Sequence, residues 1–231
     1  MRLLLLSNST NFGGTFLGHA GDALQRTLGS SVTEVLFIPY AAVRLTFDDF
    51  TARVAERFGP LGYGVRSVHQ ERDRPQAVLR AQAIVVGGGN TFHLLAMLYQ
   101  EQLIEPMRER VAQGAPYVGW SAGANLACPT IRTTNDMPIV EPPSFNALGL
   151  VPFQINPHYT DARIPNHGGE TRGERLQEYL AANPATTVIG LPEGTMLELH
   201  GDVVTYSGDQ QAMVLQHGKE PKRISGGPLS Y

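Results

Sequence analysis

Short apolar runs recur along the chain at Leu3 to Leu6, Val32 to Ile38, Val65 to Val68, Ala83 to Val86, Tyr117 to Gly119 and Thr187 to Leu191. Amphipathic stretches separate the first five. In one of them Phe47, Phe50, Val54 and Phe58 fall at the three-to-four spacing of a single helical face, which predicts a helix over 47–58. Strands alternating with helices predict an α/β architecture, a mostly parallel sheet flanked by helices on both faces, whose ligand sites gather at the carboxyl ends of the strands. A further helix is expected from Glu170 to Ala182, before the strand that ends at Leu191. Beyond it, Met196 to His200, Val203 to Tyr206 and Met213 to Gln216 are separated by Gly201-Asp202 and Ser207-Gly208-Asp209, the pattern of short antiparallel C-terminal strands in a meander. The chain shows no repeat, low-complexity tract or long linker, so one domain over 1–231 is expected.

Composition narrows the function classes. The 231 residues are 42% hydrophobic and 17% charged, the balance of a soluble globular chain with a sizeable core. A net charge of −3, with Arg and Lys scattered, gives no electrostatic footprint for nucleic acid or an anionic membrane, and neither is expected as a partner. The single cysteine, Cys128, rules out an internal disulfide framework, leaves no thiolate pair for a metal, and is expected to be a small packed residue. No cofactor is expected. The opening Met1-Arg2-Leu3-Leu4-Leu5-Leu6 gives way at once to Ser7-Asn8-Ser9-Thr10, too short an apolar run for a secretory leader and without a cleavage site. It reads as the first buried strand, and a cytoplasmic location is expected; a homodimer is one assembly left open.

Gly119-Trp120-Ser121-Ala122-Gly123 sets a serine between two glycines directly after the apolar Ala115-Pro116-Tyr117-Val118. A hydroxyl that attacks a carbonyl must stand clear of its own strand, so in a G-x-S-x-G elbow the chain turns sharply into a helix and the glycines relieve the crowding. Ser121 is the candidate nucleophile. A second feature is Val85-Val86-Gly87-Gly88-Gly89-Asn90, a strand entering three glycines before Thr91-Phe92. A phosphate cradle would need G-x-G-x-x-G with a later acidic residue, or a Lys-Ser/Thr ending, and neither is present. Beside the elbow, the run is expected to lend the Gly89 N–H to an oxyanion hole completed by the N–H of Ala122, with Asn90 as a substrate-binding residue.

A serine nucleophile needs a base. Of seven histidines, His158 ends Gln154-Ile155-Asn156-Pro157-His158, where proline fixes it at a defined point after a strand. His167 sits in the looser Asn166-His167-Gly168-Gly169, and His19, His69, His93, His200 and His217 fall on helix faces, strand ends or the meander. Two carboxylates compete to orient the imidazole. Glu193 follows Val188-Ile189-Gly190-Leu191-Pro192 at the carboxyl edge of a strand; Asp136 lies in the loop Arg132-Thr133-Thr134-Asn135-Asp136. Both stand as candidates.

These blocks carry a resemblance. Leu4-Leu5-Leu6-Ser7-Asn8-Ser9-Thr10, Gly87 to Phe92, the continuous run from Gly119 to Val140, Gln154 to His158 and Gly169-Glu170-Thr171-Arg172 resemble the peptidase E family of cytoplasmic aspartyl dipeptidases. The similarity extends to Gly194 and is weaker from about Thr195. It implies a class I glutamine amidotransferase-like fold and a serine peptidase splitting dipeptides that begin with aspartate, with Ser121 as nucleophile, His158 as base, and Asp136 and Glu193 jointly nominated as acid. A substrate of that kind brings a side-chain carboxylate and a free ammonium, so a fixed cation is required. Arg172, opening the helix after His158, is the candidate clamp, with Arg132 and Arg44 as alternatives. Two other functions are weighed: a cyanophycinase-like hydrolase of aspartyl-rich polymer, and a non-catalytic relative of the amidotransferase fold. The compact chain disfavours the first, and Ser121 together with His158 disfavours the second.

Overall fold

The structure is a computed structural model and describes residues 1–163, 165–166 and 168–229. Five strands carry the parallel part of the main sheet: β1 (Arg2–Leu6), β2 (Glu34–Ile38), β3 (Gly64–Ser67), β4 (Ile84–Val86) and β5 (Tyr117–Trp120). The helices of this part are α1 (Gly21–Leu28), α2 (Phe47–Phe58), α3 (Arg74–Leu79), α4 (Thr91–Gln100) and α5 (Ile104–Ala112), with α6 (Ala122–Leu126) directly after β5. The remainder supplies β6 (Gln154–Pro157), α7 (Arg172–Ala182), β7 (Thr187–Leu191), β8 (Met196–His200), β9 (Val203–Ser207), β10 (Ala212–Gln216), β11 (Lys222–Ile224) and β12 (Gly227–Pro228). The main sheet has the order β12-β9-β8-β1-β5-β4-β2-β3, and a second sheet the order β11-β10-β7-β6.

The sequence pattern explains the placement. Leu3, Leu4, Leu5 and Leu6 are wholly buried; Leu3 and Leu5 enter one apolar cluster and Leu4 and Leu6 the opposite one. A strand buried on both faces belongs at the centre of a helix-covered sheet, and each such leucine contributes about 1.5–3 kcal/mol by burial. In α2, Phe50, Val54 and Phe58 turn inward, and the Thr46 side chain caps the helix by accepting the Asp49 N–H. The helix expected from Glu170 starts at Arg172 because Thr171 and Glu174 form a reciprocal capping box.

The C-terminal strands do not form one meander. β8 and β9 pair antiparallel and extend the main sheet beyond β1, whereas β10 pairs with β7 and β11 in the second sheet. Its residues are apolar on both faces: Met213 and Leu215 pack with Leu176 and Leu180 of α7, while Val214 joins the larger cluster. Such a strand requires cover on both sides, which an exposed meander would not supply. Among the described residues no helix is long and apolar enough to cross a membrane.

Candidate active site

The elbow is built by backbone contact. Leu6 of β1 stands opposite Trp120, and Val86 of β4 opposite Gly119, so Ser7 and the glycine run flank Ser121. Ser121 has φ 53° and ψ −112°, a conformation side-chain-bearing residues rarely adopt, held in part by its N–H bond to the Leu6 carbonyl at 3.0 Å. Both motif glycines are sterically required. A Cβ on Gly119 would lie 2.3 Å from the Gly123 carbonyl oxygen, and one on Gly123 would lie 2.3 Å from that of Val86. Gly89, at φ 141°, would bring a Cβ within 2.1 Å of the Ala41 oxygen. The Gly89 and Ala122 amides make no hydrogen bond among the described residues.

His158 and Glu193 come from the second sheet. β6 and β7 run parallel with Pro157 opposite Leu191, which brings both residues off adjacent strand ends. Ser121 Oγ lies 2.9 Å from His158 Nε2, and His158 Nδ1 lies 2.9 Å from Glu193 Oε1. His158 also has a positive φ, 53°. Its backbone is anchored by Ser7: the His158 N–H donates to Ser7 Oγ at 2.9 Å, and the Ser7 hydroxyl donates to the Leu191 carbonyl at 2.8 Å. Asn8 Oδ1 accepts the Gly194 N–H at 2.7 Å. Sequence reasoning passed over Ser7 and Asn8, although two polar residues at the carboxyl end of a buried strand were a visible signal. The imidazole is 39% exposed and the Glu193 carboxylate 54%, so the pair opens to solvent.

Asp136 has other partners. Its Oδ2 accepts from the Thr91 N–H at 2.7 Å, from the Thr91 hydroxyl at 2.5 Å and from the Thr134 hydroxyl at 3.1 Å. It therefore ties its loop to the start of α4, just after the glycine run. The Asn90 side chain caps α4 through His93 and donates to the Met137 carbonyl at 2.8 Å, reinforcing that tie. Burial pushes the Cys128 thiol up to about 12, so it stays protonated and is no rival nucleophile. A Ser–His–Asp arrangement recurs at Ser67, His69 and Asp48, with distances of 2.6 and 3.0 Å, but Ser67 is wholly buried and presents nothing to a substrate.

Ser121 opens into a cavity of about 580 Å³, lined also by Gly89, Asn90, His158, Glu193 and Arg44. Arg172 lies elsewhere. It is half-buried in a separate cavity with Arg163 and Arg175, and its Nη1 reaches Asn156 Oδ1 at 3.5 Å, two residues before His158. Arg132 is exposed and stacks over Phe145. His167 lies outside the described residues. Among the described residues no group of His, Cys, Asp and Glu could hold a metal ion.

Comparison with known proteins places the chain in a family. The model of peptidase family S51 matches residues 3–207. Peptidase E of Nostoc sp. is 49% identical over 219 residues, covering 95% of this chain and 90% of that one. Peptidase E of Salmonella typhimurium is 48% identical over 227 residues, covering 98% and 99%. Among solved structures, a peptidase from an acI-B1 actinobacterium superposes with a TM-score of 0.71 at 20% identity, covering all of this chain and 96% of that one. A peptidase E-like protein of Listeria monocytogenes gives 0.67 at 22%, covering 90% and 98%; at these identities the likeness speaks for the fold alone. With a family match along most of its length and relatives nearly half identical from end to end, the chain belongs to peptidase family S51 and is a peptidase.

Proposed function

We propose that this peptidase hydrolyses dipeptides with an amino-terminal aspartate by a serine mechanism. The observation that carries the reading is the unbroken path Ser121 Oγ, His158 Nε2, His158 Nδ1, Glu193 Oε1, with 2.9 Å at both hydrogen bonds. His158 Nε2 takes the hydroxyl proton as Oγ attacks the scissile carbonyl carbon, and the Gly89 and Ala122 N–H groups hold the oxyanion. His158 then passes its proton to the leaving amine. Water, deprotonated by the same nitrogen, cleaves the acyl-enzyme and restores the serine. Glu193 keeps the proton on Nδ1 and stabilises the imidazolium.

The preference for aspartate rests on Arg172. Burial first, and the neighbouring Arg175 second, disfavour its charge, and among the described residues no carboxylate pairs with it. An entering side-chain carboxylate would relieve both. Asn90, lining the serine's cavity, keeps a carbonyl lone pair for the substrate's ammonium. The test is kcat/KM for Asp-Leu, Glu-Leu and Asn-Leu with wild type and Arg172→Ala. The wild type should favour Asp-Leu, and the variant should lose roughly 2 to 5 kcal/mol on Asp-Leu and far less on Asn-Leu. Equal losses on both substrates, or none, would remove Arg172 from the site and turn attention to Arg44.

A further inference from the structure

The dipeptidase reading leaves open how a chain of two residues is told from a longer one. The cavity at Ser121 has an aromatic wall. Trp120, the residue before the nucleophile, meets Phe16 edge-on with ring centroids 5.8 Å apart, and the Arg53 guanidinium sits 4.5 Å above the Phe16 ring. Phe16, Arg53, Trp120 and Ser121 line the same cavity. Arg53 is exposed, and among the described residues no carboxylate lies within salt-bridge distance of it. The ring face holds the guanidinium by cation–π attraction but leaves its N–H donors free. Arg44, the other arginine lining the cavity, sits over no aromatic ring among the described residues.

Resting on the dipeptidase reading, we infer that Arg53, seated on Phe16, binds the free α-carboxylate of the leaving residue. In a dipeptide that carboxylate lies only about 4 Å from the scissile carbonyl carbon, so its partner must belong to the wall of the nucleophile's own cavity. In a tripeptide the same position holds a neutral amide, with a further residue to seat beyond it. A guanidinium there selects short substrates by charge, because an amide offers one neutral acceptor where the carboxylate offers a bidentate anion. The apolar side chains of Val43, Leu45 and Ile139, lining the same cavity, would meet the leaving residue's side chain.

The experiment compares kcat/KM for Asp-Leu and Asp-Leu amide in wild type, Arg53→Gln and Arg53→Lys. Arg53 is exposed, so the substitutions remove little packing; circular dichroism checks the fold. The wild type should favour the free acid roughly tenfold. Arg53→Gln should lose roughly tenfold on Asp-Leu, mainly through KM, and stay within about twofold on the amide, while Arg53→Lys recovers part of the loss. Equal losses on acid and amide, or no loss on Asp-Leu, would overturn the assignment. A loss on Asp-Leu with none on Asn-Leu would make Arg53 the side-chain clamp and overturn it as well. A wild type that cleaves neither Asp-Leu nor its amide would overturn the dipeptidase reading, and this inference with it.

Discussion

His158 is held in its strained backbone by Ser7, a fully buried residue from the other sheet whose hydroxyl accepts from the His158 N–H and donates to the Leu191 carbonyl. Ser7→Ala should therefore act through position: kcat on Asp-Leu falls roughly tenfold or more with KM nearly unchanged, and stability drops by about 1–3 kcal/mol because buried polar groups lose their partner. A loss of stability with no change in kcat would reduce Ser7 to a structural role. For the carboxylates, Glu193→Gln should cost about 10² to 10⁴ in kcat, and Asp136→Asn less, since Asp136 acts on Thr91 and its loop. A near-normal Glu193→Gln enzyme beside an inactive Asp136→Asn one would give Asp136 the orienting role. That Ser121 and His158 meet was legible in the sequence because short motifs surround both. The choice between carboxylates was not, because it depends on the pairing of Pro157 with Leu191, which no local pattern specifies.

At the scale of elements, the elbow joins β5 to α6 with backbone against backbone. Gly123→Ala would put a methyl 2.3 Å from the Val86 carbonyl oxygen, a rigid neighbour, forcing α6 away from β4. Overpacking of that kind costs about 1–3 kcal/mol, and each kcal/mol lowers Tm by roughly 2–4 °C in a chain of this size. Calorimetry should show the drop together with reduced turnover, because Ala122 is the proposed oxyanion donor; an unchanged Tm would mean that the helix has room to move. The parallel strands and α2 were legible from periodicity. The path of β10 was not, since Ala212 to Leu215 reads equally as a hairpin partner of β9 or as the two-faced strand that α7 and the larger core both cover.

For the whole molecule, the two sheets matter because the candidate site lies at their seam, with Ser121 following a strand of one and His158 and Glu193 following strands of the other. That seam also explains why the cations were hard to assign from sequence. Arg172 belongs with β6 and α7, whereas Arg44 and Arg53 arrive from the loop and helix after β2, and only the packing of the sheets decides which of them share a cavity. The family-like block from Gly119 to Val140 made the peptidase legible; the position of the charges around its cavity was not. Attack by Ser121 on the substrate is probed most directly by Asp-Leu turnover of Ser121→Ala. Deleting one Oγ from a solvent-reaching turn disturbs little packing, so the variant should keep the wild-type circular dichroism and Tm while kcat falls by on the order of 10⁴ to 10⁶. A well-folded Ser121→Ala protein retaining more than about a tenth of wild-type turnover would contradict the serine mechanism.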